Sequence, residues 1–148
     1  MAEEYEEPPR DITGEDLVEE IQLLINHYRT EYPRVHRFER AQRDYERLAP
    51  TFNPENPLSV LSIRKVLGDL KMFERGIIGL RDTYEMAFFA QYLHAKYKKE
   101  QLPSDLSDEL DNMNAEVTRF TQGVLGSVSD KVSHLTELLY TRDLSYHP

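Results

Sequence analysis

Apolar residues recur at steps of three and four along most of the chain, and proline-marked stretches show where that pattern stops. Leu17, Ile21, Leu24, Ile25 and Tyr28 form the first stripe. Thr13-Gly-Glu-Asp16 precedes it and places a hydroxyl N-cap three residues before a carboxylate. Tyr32-Pro33 interrupts the stripe, because proline lacks an N–H and restricts the residue before it. The pattern resumes through Val35, Phe38, Tyr45 and Leu48. The spacing therefore predicts a helical segment over 13–49, kinked or split at Pro33.

Residues 50–57, PTFNPENP, read as a loop. After it Ile63, Val66, Leu67, Leu70, Phe73, Ile77, Leu80, Tyr84, Phe88 and Tyr92 keep helical steps with no proline between them. A helix over 58–101 would be about 65 Å long at 1.5 Å per residue. Leu102-Pro103-Ser104 ends it. A last stripe runs from Leu106 through Met113, Val117, Phe120, Val128 and Leu135 to Leu139 without a break. Strand alternation and hairpin turn signals are missing. Three segments of comparable length with short connections predict an all-α fold, an elongated antiparallel bundle of three long helices. The bundle occupies 12–141 as one domain. Residues 1–11, with five acids, one arginine and two prolines, read as a flexible acidic arm, and 142–148 as a short tail.

Composition narrows the chemistry. In 148 residues there are 18 Lys and Arg against 27 Asp and Glu, a formal charge of −9, which argues against wholesale coating of nucleic acid. No cysteine is present, so disulfides, thiolate metal sites and cysteine nucleophiles are excluded. The acidic start carries no apolar run of a secretory signal, and no stretch is long enough to insert in a membrane. A cytoplasmic or virion location is expected.

Enzyme signatures are absent: no phosphate loop, dinucleotide fingerprint, nucleophile elbow or HExxH occurs. His36 and His134 each stand three residues before a glutamate, Glu39 and Glu137, the reverse of the Glu-x-x-His order of di-metal bundles. They read as surface pairs, and neither a metal nor another cofactor is expected. Arg34, Arg37, Arg40, Arg43 and Arg47 recur every three or four residues and could grip phosphates or an acidic protein surface. Glu39, Asp44 and Glu46 are interleaved, with Glu39 four residues before Arg43, so a salt-bridged solvated face is the simpler reading. Residues 104–130, with six acids and one arginine, offer a complement in the same chain or in a second copy.

Two further features concern packing. Gly76-Ile-Ile-Gly79 and Gly123-Val-Leu-Gly126 each place two glycines inside a helical pattern, at about 1 kcal/mol per glycine relative to alanine. They are expected to meet in a close antiparallel crossing, with a hinge at Gly76 as the alternative. Met86, Phe89 and Leu93 form a second stripe, rotated away from Tyr84, Phe88 and Tyr92. A helix apolar on two faces is buried on both, either as the middle helix of a monomer or against a partner. His94, beside Leu93, is assigned to the same interface as a hydrogen-bonded residue. Together these features suggest a non-enzymatic interaction or structural subunit of a larger assembly, self-associating or bound to other proteins. The alternative is a nucleic-acid-associated helical protein using the arginine stripe.

Overall fold

The structure is a computed structural model that describes residues 14–145; the acidic arm and the Thr13 cap lie outside them. Every regular element among the described residues is helical. The helices are α1 (Gly14–Arg37), α2 (Ala41–Leu48), α3 (Pro57–Lys98), α4 (Ser104–Gly123) and α5 (Leu125–Ser145), with a 3-10 turn at Ala49–Thr51. Four long helices pack together, rather than the three expected, because the third segment divides into α4 and α5; the first divides as well, into α1 and the short α2.

The first division is not at Pro33. That residue lies inside α1, which continues to Arg37. Proline costs the helix one hydrogen bond and crowds the preceding turn. Packing on both sides holds it in place: Tyr28 and Val35 are buried, and Tyr32 meets the rings of His36 and Phe120 at 4.7 and 6.1 Å. The break comes at Phe38–Arg40, where the Phe38 N–H donates to Val35 and the Ala41 N–H to Phe38, both to the third carbonyl back. These tight bonds keep Val35, Phe38 and Ala41 on the core side while the chain leaves α1. The second division is at Val124, between Gly123 and Leu125, in what was expected to be an unbroken helix. It is local: the Val124 N–H still reaches the Phe120 carbonyl, and Val128 reaches Val124. Glycines at 123 and 126 weaken helix propensity on both sides of it.

The 42-residue α3 spans about 63 Å and is the element against which every other helix packs. Asn56 caps its start, its side-chain oxygen accepting the Leu58 N–H at 3.0 Å, and Pro57 takes the first helical position. Its end comes earlier than expected, where Lys99 adopts the left-handed conformation at φ 56°. The core runs along α3 from Ile63 through Leu70, Phe73, Ile77 and Leu80 to Ala87 and Ala90, in one cluster with Ile21, Ile25 and Tyr28 of α1, Met113 and Phe120 of α4, and Val128 and Leu135 of α5. α5 continues to Ser145, into the segment expected as a tail.

The close helix approach is real at one glycine and has a different partner. A Cβ added at Gly76 would lie 2.7 Å from Val35 Cγ2, so α1 and α3 meet there. Among the described residues nothing outside their own helix backbone lies within 4 Å of that position at Gly79, Gly123 or Gly126, so the two glycine pairs do not form a mutual crossing, and α3 is unbroken at Gly76. Gly76→Ala should therefore destabilise the fold by about 1–3 kcal/mol through overpacking against Val35. Gly126→Ala, at a position in α5 with open space around it, should stabilise it by up to about 1 kcal/mol through helix propensity alone. Denaturant titrations of the two variants give opposite signs; equal signs would remove the crossing.

Candidate interaction surface

The C-terminal half of α3 shows two unlike faces. Its core side narrows to Ala87, Ala90 and His94, all buried. Its outer side carries Met86, Phe88, Phe89, Tyr92 and Tyr97, with Met86 60% and Phe89 59% exposed. Phe88 and Tyr92 were expected in the core, four and eight residues after Tyr84. Each step of four carries a residue about 40° past its starting azimuth, so two in succession rotate off the core face. The helix instead keeps its register with steps of three to Ala87 and Ala90 and then four to His94. Alanines there leave room for the neighbouring helices, and the large side chains are turned outward.

Phe89 and Tyr92 stack with ring centroids 6.2 Å apart, and Tyr84 tilts against Phe88 at 6.0 Å. Leu93 is half-buried at the margin of this face. No neighbouring helix covers Met86 and Phe89 among the described residues, so the burial on both sides expected for a middle helix does not occur within the monomer. His94 is separate from this face. It is 4% exposed, and among the described residues its Nδ1 has no hydrogen-bond partner, where a hydrogen-bonded role was expected. It lines an open groove of about 1060 Å³ together with Asp16, Glu19, Lys98 and Glu100.

The arginine run is divided by the turn at Phe38–Arg40. Arg34 and Arg37 stay on α1, and Arg43 and Arg47 lie on α2. Arg34 pairs with Glu31 at 3.4 Å and Arg47 with Asp44 at 3.2 Å, both at the surface. Glu39 meets His36 at 3.2 Å rather than Arg43, because it sits in the turn and not in a helix. Arg37, Arg40 and Arg43 are exposed. His134 contacts Tyr45 rather than Glu137, with Nδ1 2.6 Å from the hydroxyl. Among the described residues no three His, Asp or Glu side chains are placed to hold a metal ion, and no helix is long and apolar enough to cross a membrane.

The acidic helix does find an arginine, outside the run. Arg29 Nη1 donates to Glu116 at 2.9 Å and its Nε donates to Glu109, which joins α1 to α4. Its guanidinium lies over the rings of Tyr28 and Tyr32. Burial works against the Arg29 charge, but the hydrogen bonds with Glu109 and Glu116 outweigh it and hold its pKa above the ordinary value. The fully buried Tyr28 donates its hydroxyl to the same Glu116 at 2.9 Å. Sequence reading placed Tyr28 in the core but missed Arg29, whose one signal was its position directly after a core tyrosine.

Comparison with protein-family models, with curated proteins and with solved structures finds no match to this chain.

Two consequences are measurable. Burial, then the Glu116 hydrogen bond, raises the Tyr28 phenol pKa well above its ordinary value of about 10. The folded state then holds a proton that the unfolded state loses, so this contribution is complete below about pH 10 and falls as the pH rises beyond it. The unfolding midpoint should drop between about pH 9 and 11, and Tyr28→Phe should flatten that drop; an unchanged slope would contradict the assignment. His94→Leu should stabilise the fold by about 1 kcal/mol, because the buried Nδ1 finds no hydrogen-bond partner among the described residues. A lower melting temperature for that variant would show that the ring is satisfied.

Proposed function

We propose that this chain is a non-enzymatic helical subunit of a larger, homo-oligomeric or virion-like assembly, acting by protein–protein contact through the outer face of α3. One observation carries the reading. Met86, Phe88, Phe89 and Tyr92 are all more than half exposed within two helical turns, although the chain has a complete core without them. Clustered exposed apolar side chains of this kind mark interaction sites, and Met and aromatic anchors are the usual interface composition. The absence of cysteine suits a reducing or virion-like compartment.

A second reading has a specific support. Arg37, Arg40 and Arg43 are exposed with no ion-pair partner among the described residues, which leaves three guanidinium groups for a phosphate backbone. A nucleic-acid role predicts a mobility shift that weakens steeply with salt and is lost in Arg37→Glu with Arg40→Glu.

The two readings separate at Phe89. Phe89→Glu should leave helix content unchanged, because the side chain is solvated in the monomer, and should lower the mass of the assembly the parent chain forms. Circular dichroism and light scattering on the purified chain, with sizing of the native complex, make the comparison. A folded variant in an assembly of unchanged mass would defeat the reading at this face.

A further inference from the structure

The apolar patch at Met86 and Phe89 is one end of a longer pattern. Starting at Leu58, the exposed face of α3 repeats in alternating steps of three and four for ten positions, as far as Phe89. All ten are exposed, and the core stripe of the same helix lies on its other side. Five of the ten, Leu58, Leu61, Met72, Met86 and Phe89, are large exposed apolar residues, and apolar residues at such steps are the signature of a helix–helix seam. Here it extends over about 47 Å of a helix whose own core is already satisfied.

We infer that α3 pairs antiparallel with α3 of a second copy about a twofold axis between Met72 and Arg75, building the homodimeric contact of the assembly. The inference rests on the reading of α3 as an interaction face and specifies its partner.

Charge sets the direction. A parallel pair in register would set Lys65, Arg75 and Asp82 each against its own copy, three like-charge layers along one seam. The antiparallel pair about Met72 and Arg75 sets Lys65 against Asp82 of the second copy, twice by symmetry. It also sets Leu61 against Met86 and Leu58 against Phe89, so four exposed apolar residues of each copy are covered. In the middle layer the Arg75 stem lies along Met72.

The remaining layer explains two glycines that the monomer does not use. Gly68 and Gly79 lie on the seam, and neither has an atom within 4 Å of where a Cβ would sit. In the antiparallel pair they face each other across both halves of the interface, which lets the two backbones come closer than side chains would allow. Shifting the register by one heptad toward the C-terminus instead brings Lys65 against Phe89, Met72 against Asp82 and Arg75 against Gly79, and the complementarity is lost.

The intact chain should show twice its monomer mass by light scattering across a concentration series. Lys65→Asp or Asp82→Lys should each raise the dissociation constant about tenfold or more, since each places two like-charge pairs in the seam. The double exchange should restore it to within about threefold of the parent. Both sites are exposed in the monomer, so circular dichroism should be unchanged throughout. A second test does not depend on disruption. Because the chain has no cysteine, Lys65→Cys with Asp82→Cys should give a covalent dimer on mild oxidation, and neither single variant should. The two positions are about 25 Å apart on one helix, so no bond can close within a chain. A monomeric parent, a double exchange that fails to restore association, or single-cysteine variants that cross-link as well as the double would each overturn the pairing. A monomeric parent whose native complex still loses mass on Phe89→Glu would overturn self-pairing alone and leave the broader reading standing.

Discussion

One helix has to provide a packing wall for all the others, and the shape of the molecule follows from that constraint. α3 is long enough for two helices in succession on each flank: α1 then α2 on one, α4 then α5 on the other. Both flanks are interrupted near the same level of α3. Val35, just before the first break, closes on Gly76, and Ser129, just after the second, donates to Glu74 at 2.6 Å. The flanks are also tied to each other there, where the Ser127 hydroxyl donates to Gln42 at 3.2 Å. A helix can bend at such a level only where something else supplies its contacts, and the close approach at Gly76 does so.

Below that level the α1–α4 contact is electrostatic as well as apolar. Arg29 holds two carboxylates of α4, and Tyr28 shares one of them from inside the core. Arg29, Glu109 and Glu116 are partly solvated, so their ion pairs contribute modest stability, and the larger effect of the network is to fix how the two helices face each other. It also removes Glu109 and Glu116 from the acidic surface of α4, leaving Asp105, Asp108 and Asp111 outward.

The candidate surface is a consequence of the same wall. α1 and α4 close on α3 over alanines, so that helix has no inward place for its largest side chains between Met86 and Tyr97. They are left on a face that solvent disfavours and that the rest of the fold does not need. On the proposed reading stability and association fall on opposite sides of one helix, so that a charge on the outer side would alter assembly without reaching the core.

The helical class of the described residues and the loops around 50–57 and 102–103 were legible in the sequence, because they depend on local periodicity and on proline chemistry that acts within a few residues. The second apolar stripe on α3 was legible for the same reason. Which stripe would be buried was not: choosing Ala87 over Phe88 is decided by how closely two other helices approach, and hydrophobicity alone points the wrong way. Pro33 had the strongest local signal for a break, yet the break falls at Phe38–Arg40, because packing of Tyr28, Tyr32 and Val35 outweighs one lost hydrogen bond. The four glycines of the paired motifs looked equivalent as spacing, and only one has a neighbour. Arg29 was invisible, since its partners lie about eighty residues away along the chain. Local order is written in the sequence at a distance of a turn or two; which faces meet, and which side chain is left without a neighbour, is settled only when helices distant in sequence compete for the same space.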